Sequence, residues 1–520
     1  MKRFICVILA VLLLAACAPK AGESAEPEAS TTANKKLLIV SDIAVAVDEK
    51  VAIDVITEVT EPISYSFEGE AIAIYNGCVR GVVAGSEVEV TAVSGDYEGS
   101  FTVWVDEDSY TPYGAEADGE GWYEDIEVEP IAGLSEDFAM GVDVSTLAVV
   151  LENGGRFYNS DGVRTGVFKL LRDNGVNWVR LRLWNEPYQY DTDGNKLYYG
   201  GGDCDFDTIC ELAADAKAAG MKLLLNFHYS DFWADPTYQV IPKMWKDITS
   251  ADDMAVALYD YSYEVIRALD AVGAKPDMVQ IGNEITGGML REQGGEDGGS
   301  FGNSGYSNYI SERKAADPNV AASYSGRGTD IDANLVLYVS MGAEAVKAYD
   351  PEILVMIQLA KGCSDVEFMK TFYHTFDTVD YDVIGLSYYP RWHGSIAQLE
   401  NALGELSAEF PEKGVSVVEF SYAYTYAFNA NAENQFNSTY AQDDYPVSVQ
   451  GQANILRDVI AAIAANENGF GVFYWEGAWL PVPNAGWASS KTKNSWANQA
   501  LFGYDGKALP SLSVFSRVYG

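Results

Sequence analysis

Histidine is scarce in this chain of 520 residues, occurring three times. No HExxH or CxxC spacing is present, so a zinc site has little to build on. Basic residues are outnumbered, 34 Lys and Arg against 76 Asp and Glu, for a formal net charge of −42. A surface that acidic repels phosphate backbones and anionic lipid. It disfavours nucleic acid as a partner and suits a neutral ligand. Cysteine is sparse too. With Cys6 and Cys17 set aside, Cys78, Cys204, Cys210 and Cys363 remain, too few for a disulfide framework. Cys204 and Cys210 fall on different faces if a helix runs from Asp207, and are not expected to pair.

The N-terminus reads "MKRFICVILAVLLLAACAPK". Its apolar run, Phe4 to Leu14, is too short to span a bilayer and ends on small residues, as an export signal does. The ending Leu14-Ala15-Ala16-Cys17 resembles the lipobox of bacterial lipoproteins. That resemblance implies a signal peptide over 1–16, lipidation of Cys17, and an exported protein anchored by acyl chains at a bacterial cell surface. The alternative is an ordinary cleaved signal with an incidental cysteine. Residues 17–35 are small, polar and Pro-containing, a flexible tether. Residues 36–106 carry short alternating apolar runs broken by Gly, Asp and Ser, which predict a small β-sandwich. The stretches "GCVRGVVAGSEVEVTA" and "SFTVWV" resemble bacterial immunoglobulin-like domains. A spacer is the expected role, and a glycan-binding module the alternative. An acidic linker is read over 107–133.

From residue 134 to 520 the texture changes. Apolar strands alternate with helical stretches such as 206–220 and 255–273. Eight strands are predicted: Ala139–Val144, Trp178–Leu183, Lys222–Phe227, Met278–Gly282, Ile353–Gln358, Val383–Ser387, Val415–Val418 and Gly471–Tyr474. The expectation is an α/β fold, a (β/α)8 TIM barrel preceded by the small β-sandwich. A doubly wound sheet is disfavoured because no Gly-rich phosphate loop follows the first strand.

Chemistry in such a barrel collects at the C-terminal ends of the strands. There the sequence places Asp143 on the first strand, then Arg180 and Arg182 on one side of the second. The third strand ends in His228, Asp231 and Trp233, and the fourth in Asn283-Glu284. The sixth ends in Tyr388, Tyr389, Trp392 and His393, the seventh in Glu419, and the eighth in Trp475 and Trp479. Each alone has an ordinary explanation: a strand-end turn, a structural ion pair, a packing tryptophan, a core histidine. Together they deliver polar or aromatic groups to one rim, where unpaired charge is costly. Two glutamates on the fourth and seventh strands suit glycoside hydrolysis. One carboxyl protonates the leaving oxygen, and the other attacks the anomeric carbon when the two lie close enough.

The stretches "GVDVST", "NWVRLRLWNEP", "NFHYSDFWADP", "QIGNEITGG", "GLSYYPRWHG", "VVEFSYAYT", "GVFYWEGAW" and "WANQALFGYDGKALPSL" resemble glycoside hydrolase family 53, the endo-β-1,4-galactanases. They occur in family order over 134–520. The resemblance implies a retaining endo-hydrolase of β-1,4-galactan in pectin side chains, with Glu284 as acid/base and Glu419 as nucleophile. Asn283 would meet the sugar 2-hydroxyl. Arg182 first, and Arg180 second, would support Glu419. His228, Tyr388 and Trp475 would shape the cleavage subsite, and Trp233, Trp392 and Trp479 would stack on sugars. Asp143 and Asp231 would bind hydroxyls or cap loops, and His393 joins the substrate-binding set. No cofactor is required, and a monomer is expected. Some bacterial relatives hold a structural calcium. The loop 431–446 has oxygen ligands, but sequence assigns no ligand set. Two departures stand out. The loop after the fourth strand is longer than the family's, and Phe420-Ser421-Tyr422-Ala423 replaces the usual Thr-Ser/Ala-Tyr-Pro. Endo-hydrolysis of mannan or β-glucan, or glycan capture without catalysis, are the competing readings.

Overall fold

The computed structural model describes residues 35–107, 119, 121–236, 238–291, 333–488 and 492–519. The leader with Cys17, the tether up to residue 34 and most of the long loop after the fourth barrel strand lie outside the described residues. The chain divides into two compact units, Met1–Asp108 and Ser109–Gly520.

In the first unit, period-two patterning builds two sheets. Strand β7 (Ser86–Ser94) buries Val88, Val90 and Ala92 and exposes Glu87 and Glu89. It pairs antiparallel with β8 (Tyr97–Val105) through the turn at Gly95, whose φ of 54° suits glycine. Strands β1 (Lys36–Leu37) and β2 (Ile43–Val45) add to β8 in parallel, and β4 (Ser64–Ser66) adds to β7. The second sheet is β3 (Lys50–Ala52), β6 (Cys78–Gly81) and β5 (Ile72–Tyr75). Both sheets feed one apolar core, with Val45, Val90, Phe101 and Val103 from the first and Ile72 and Val79 from the second.

The second unit is a closed parallel barrel of eight strands: β9 (Ala139–Asp143), β10 (Trp178–Leu183), β13 (Lys222–Phe227), β14 (Met278–Ile281), β15 (Leu354–Leu359), β16 (Val383–Ser387), β17 (Gly414–Phe420) and β18 (Gly469–Tyr474). Strand β18 closes on β9. All eight predicted strands are present, within two residues at each end. The strands β11 (Tyr188–Tyr190) and β12 (Lys196–Tyr198) form a hairpin in the loop after β10. Of the two predicted helices, one spans Phe206–Ala218 and the other Ala251–Ala271. The second begins earlier than its apolar pattern implied, because the Ser250 side chain caps it through the Asp253 N–H. Cys204 and Cys210 are not joined by a disulfide.

The barrel interior is layered. Its lower layer is apolar: Ala139, Trp178, Leu224, Met278, Met356, Val383, Val418 and Phe473 form one buried cluster. Two residues further along β10, β13, β14 and β15, on the same side of each strand, stand Arg180, Asn226, Gln280 and Gln358, all fully buried. The switch from apolar to polar within one register step makes the floor of the mouth. On β16 and β17 the register shifts between Leu386 and Ser387, so Ser387 lies opposite Glu419. Such a bulge re-aims side chains at a barrel rim.

The segment read as acidic linker is in part not a linker. Trp122 and Ile126 are buried. Trp122 packs edge-on against Tyr424 and Tyr504 at 5.0 and 5.2 Å, and Arg517 donates to Asp125 and to the Ile126 carbonyl. An acidic count hid an apolar anchor. Among the described residues no helix is long and apolar enough to cross a membrane.

Strands β9 and β18 approach closely because Gly471 has no side chain. A Cβ there would lie 2.3 Å from the Ala139 carbonyl oxygen. Gly471→Ala is expected to lower the unfolding free energy of the barrel by about 1–3 kcal/mol, measured in urea. An unchanged transition midpoint would refute this account of the β9–β18 seam.

Candidate active site

Glu419, on β17, is 6% exposed and is held from three sides. The Arg180 fork donates to its Oε1 at 2.8 Å, the Gln358 amide donates to the same oxygen at 2.9 Å, and the Tyr389 hydroxyl donates to Oε2 at 3.0 Å. Arg180 also donates to Asp143 at 2.8 Å, to Asn283 Oδ1 at 3.0 Å and to Gln280 Oε1 at 3.3 Å. One guanidinium therefore joins the first, second, fourth and seventh strands of the barrel.

Glu284 follows β14 and is half-buried, with its backbone in the left-handed region at φ 48°. Its N–H donates to Gln358 Oε1 at 3.1 Å, and its Oε1 accepts the Ser387 hydroxyl at 2.7 Å. Ser387 in turn accepts from Gln358 Nε2 at 3.0 Å. Both glutamates are thus tied to the same amide. Burial, then the neighbouring Glu419, push the Glu284 carboxyl well above the ordinary range, against the pull of Ser387. A carboxyl kept protonated beside a carboxylate held by an arginine is the arrangement of a general acid and a nucleophile. Asn283 accepts from Arg180 and Asn226 at Oδ1 and donates one amide hydrogen to the Ala234 carbonyl. Among the described residues nothing accepts its second amide hydrogen.

Tryptophans line the other side. Trp475, 5% exposed, meets Trp233, Trp487 and Trp496 with ring centroids 4.7–5.9 Å apart. Trp487 stacks on Trp233 at 4.4 Å and accepts the Trp233 indole N–H on its carbonyl. Arg182 lies beneath this group, 4.4 Å from the centroid of Trp233. Beside Tyr389 a recess is lined by Trp392, Phe436, Tyr440, Trp496 and Gln499. Trp392 is 49% exposed there, and Arg391 braces the wall by lying over the Tyr440 ring and donating to the Thr439 carbonyl.

Several expected contacts are different. Arg182 does not reach Glu419. It pairs with Glu476 and donates to the Gly201 carbonyl, because its position one layer higher aims it toward β18 and the loop after β10. Arg180 carries the role instead. Asp143 is fully buried between Arg180 and Ser145 and binds no hydroxyl from solvent. Asp231 is a loop fastener: its two oxygens accept the N–H groups of Glu186 and Lys243. Burial pushes its carboxyl up to about 7, against the pull of Lys243. Tyr388 is fully buried, stacks on Phe420 and donates to the Gly394 carbonyl, whereas Tyr389 faces the carboxylate. Trp479 is fully buried under Trp487 and offers no face to a sugar. His393 accepts the Tyr389 N–H and shapes that turn. His228 Nδ1 accepts from Trp184 and from the Ala234 N–H, which puts its proton on Nε2. Burial, then Arg182 and Arg180, hold that ring far below its usual range and therefore neutral. Among the described residues no group of three or more His, Cys, Asp or Glu is placed to hold a metal, and the 431–446 loop supplies none.

Residues 139–515 match the sequence profile of Glycosyl hydrolase family 53. The chain belongs to that family. It is 35% identical over 426 residues to the endo-beta-1,4-galactanase of Bacillus subtilis (strain 168), covering 75% of this chain and 88% of that one. It is 31% identical over 390 residues to the arabinogalactan endo-beta-1,4-galactanase of Cellvibrio japonicus (strain Ueda107), covering 74% and 91%. The solved GH53 catalytic domain of Ignisphaera aggregans is similar with a TM-score of 0.64 at 36% identity, over 76% of this chain and all of that one.

In this family 53 chain the sequence reading placed Tyr389 at the rim but gave the subsite to Tyr388, and it missed Gln358, Ser387, Trp487 and Trp496. Ser421, part of the departure after Glu419, accepts the Trp496 indole N–H at 2.9 Å and donates to Gln499. The unusual tetrapeptide thus holds a rim tryptophan. Arg180→Lys replaces a fork by a single ammonium that cannot serve Asp143 and Glu419 together. It is expected to lower kcat by about a hundred- to a thousandfold, the loss typical of a preorganised donor. Arg182→Lys should act through the tryptophans and raise KM more than it lowers kcat. Equal losses of kcat in the two variants would refute the division between them.

Proposed function

We propose that this protein is an endo-acting β-1,4-galactanase working with retention of configuration. The observation that carries the reading is the pair Glu284 and Glu419 at one barrel mouth, joined through Gln358, in a chain of family 53. Relatives named as galactanases support the substrate class.

In the first step, protonated Glu284 gives its proton to the departing galactosyl oxygen as that C–O bond breaks. Glu419 bonds to the anomeric carbon, and its negative charge is consumed in the ester. Arg180, Gln358 and Tyr389 orient it for attack. In the second step ionised Glu284 takes a proton from water, and the oxygen of that water displaces Glu419. The free amide hydrogen of Asn283 would hold the 2-hydroxyl, and Trp475, Trp392 and Trp487 would pack on apolar sugar faces. The chain needs no cofactor for this. We further read Cys17 as a lipid anchor on an exported protein and the first β-unit as an immunoglobulin-like spacer, supported by the lipobox ending and the tether.

Purified residues 36–520 should release short β-1,4-galacto-oligosaccharides from galactan and little from mannan, xylan or arabinan. Glu284→Gln is expected to lower turnover by about 10²–10⁴-fold, and Glu419→Gln to leave none above background. Early product followed by proton NMR should be the β-anomer. An α-anomer would overturn the retaining mechanism, and binding without reducing-end release would leave glycan capture as the function.

A further inference from the structure

The amides of the barrel floor have orientations that can be deduced, and they run in one direction. Arg180 is a donor only, so the Gln280 atom facing it at 3.3 Å is the carbonyl Oε1. The Gln280 amide Nε2 then donates to the Gly282 carbonyl at 2.8 Å and to Gln358 Oε1. The Glu284 backbone N–H, also a donor only, meets the same Gln358 oxygen. Gln358 must therefore turn its Nε2 toward Glu419 and Ser387. An amide nitrogen cannot accept. Ser387 Oγ, 3.0 Å away, is bound to accept there, and its one hydrogen is left to point at Glu284 Oε1, 2.7 Å distant. The rotor of a serine that is 1% exposed is thus determined by a charge three side chains away.

We propose that Ser387, oriented by Gln358, is a positioning residue that fixes Oε2 of Glu284 as the oxygen that carries and transfers the catalytic proton. Gln358 couples this to Glu419. The idea rests on the acid/base and nucleophile roles proposed above. Oε1 already receives the serine hydrogen, so the acidic proton resides on Oε2. Ser387 keeps its own proton throughout. Its hydrogen bond is stronger to ionised Glu284 than to the neutral acid, so it eases proton donation in the first step. The bulge between Leu386 and Ser387 provides the placement, since without the shift Ser387 would not lie opposite Glu419.

The charged and titratable groups acting on Glu284 are Glu419 on β17, Arg180 on β10, Asp235 in the loop after β13 and Tyr389 after β16. Glu419 and Asp235 raise its carboxyl, and Ser387 and Arg180 lower it. Removing the serine hydroxyl leaves burial and the acidic neighbours less opposed. Glu284 then stays protonated to higher pH.

The test is the pH dependence of kcat/KM on soluble galactan, using the full purified chain. Ser387→Ala should move the upper limb upward by about one to two pH units, the worth of one hydrogen bond to a charged group. Ser387→Cys, close in volume with a weaker donor, should move it less and serves equally if the alanine variant melts early. Gln358→Met should move the limb in the same direction, and the double variant no further than the larger single shift. An upper limb that stays in place while kcat/KM drops uniformly at every pH would mean a packing role only and overturn the proposal. Additive shifts would overturn the coupling through Gln358. If Glu284→Gln retains activity, or the parent protein leaves galactan intact, the reading of the site falls and this proposal with it.

Discussion

Everything at the mouth of this barrel depends on one buried guanidinium. Arg180 is fully buried, and its two terminal nitrogens meet Asp143, Gln280, Asn283 and Glu419. Breaking a buried ion pair by removing one partner typically destabilises by about 3–5 kcal/mol, because the other charge is stranded. Here the stranded partners would be two carboxylates at once. The constraint works outward. Asp143 must accept from Ser145 to complete its shell, Gln280 must present its oxygen inward, and Asn283 must turn its amide toward Ala234. The polar floor is one connected network, in which the Arg180 Nε–H and Asn226 Oδ1 have no hydrogen-bond partner among the described residues.

A second cation sits one layer above and does different work. Arg182 neutralises Glu476, itself held by Thr146, and supports the tryptophans from below. The two arginines are neighbours on one strand face, yet one meets the Glu419 carboxylate and the other the tryptophan cluster. Their separation follows from strand geometry: an advance of two residues moves a side chain about 6.6 Å up the barrel wall.

Much of this was legible beforehand. Barrel strands announce themselves as apolar runs, and polar residues at their ends have few other reasons to be there. That argument placed Glu284, Glu419, Asn283 and Arg180 at one barrel mouth, where the structure also has them. It failed where the phase of a strand changes. Tyr388 and Tyr389 are adjacent, and only the shift at Ser387 decides which faces inward; periodicity cannot see a bulge. It failed again for Gln358, whose neutral amide looks like ordinary polarity until its four partners are known. Trp479 was chosen for proximity to β18, whereas Trp475 packs with Trp487 and Trp496 from farther along the chain, a tertiary choice with no local mark.

The backbone at Glu284 has a bearing on how such a protein drifts. At φ 48° an L-residue with a side chain is held in a conformation that glycine adopts freely. Replacement by glycine would relax the main chain while removing the carboxyl proposed above to transfer the proton. Stability and chemistry therefore pull in opposite directions at this position. A lineage released from selection for turnover would find a stabilising route out of catalysis here, and the fold would survive as a well-formed binding shell.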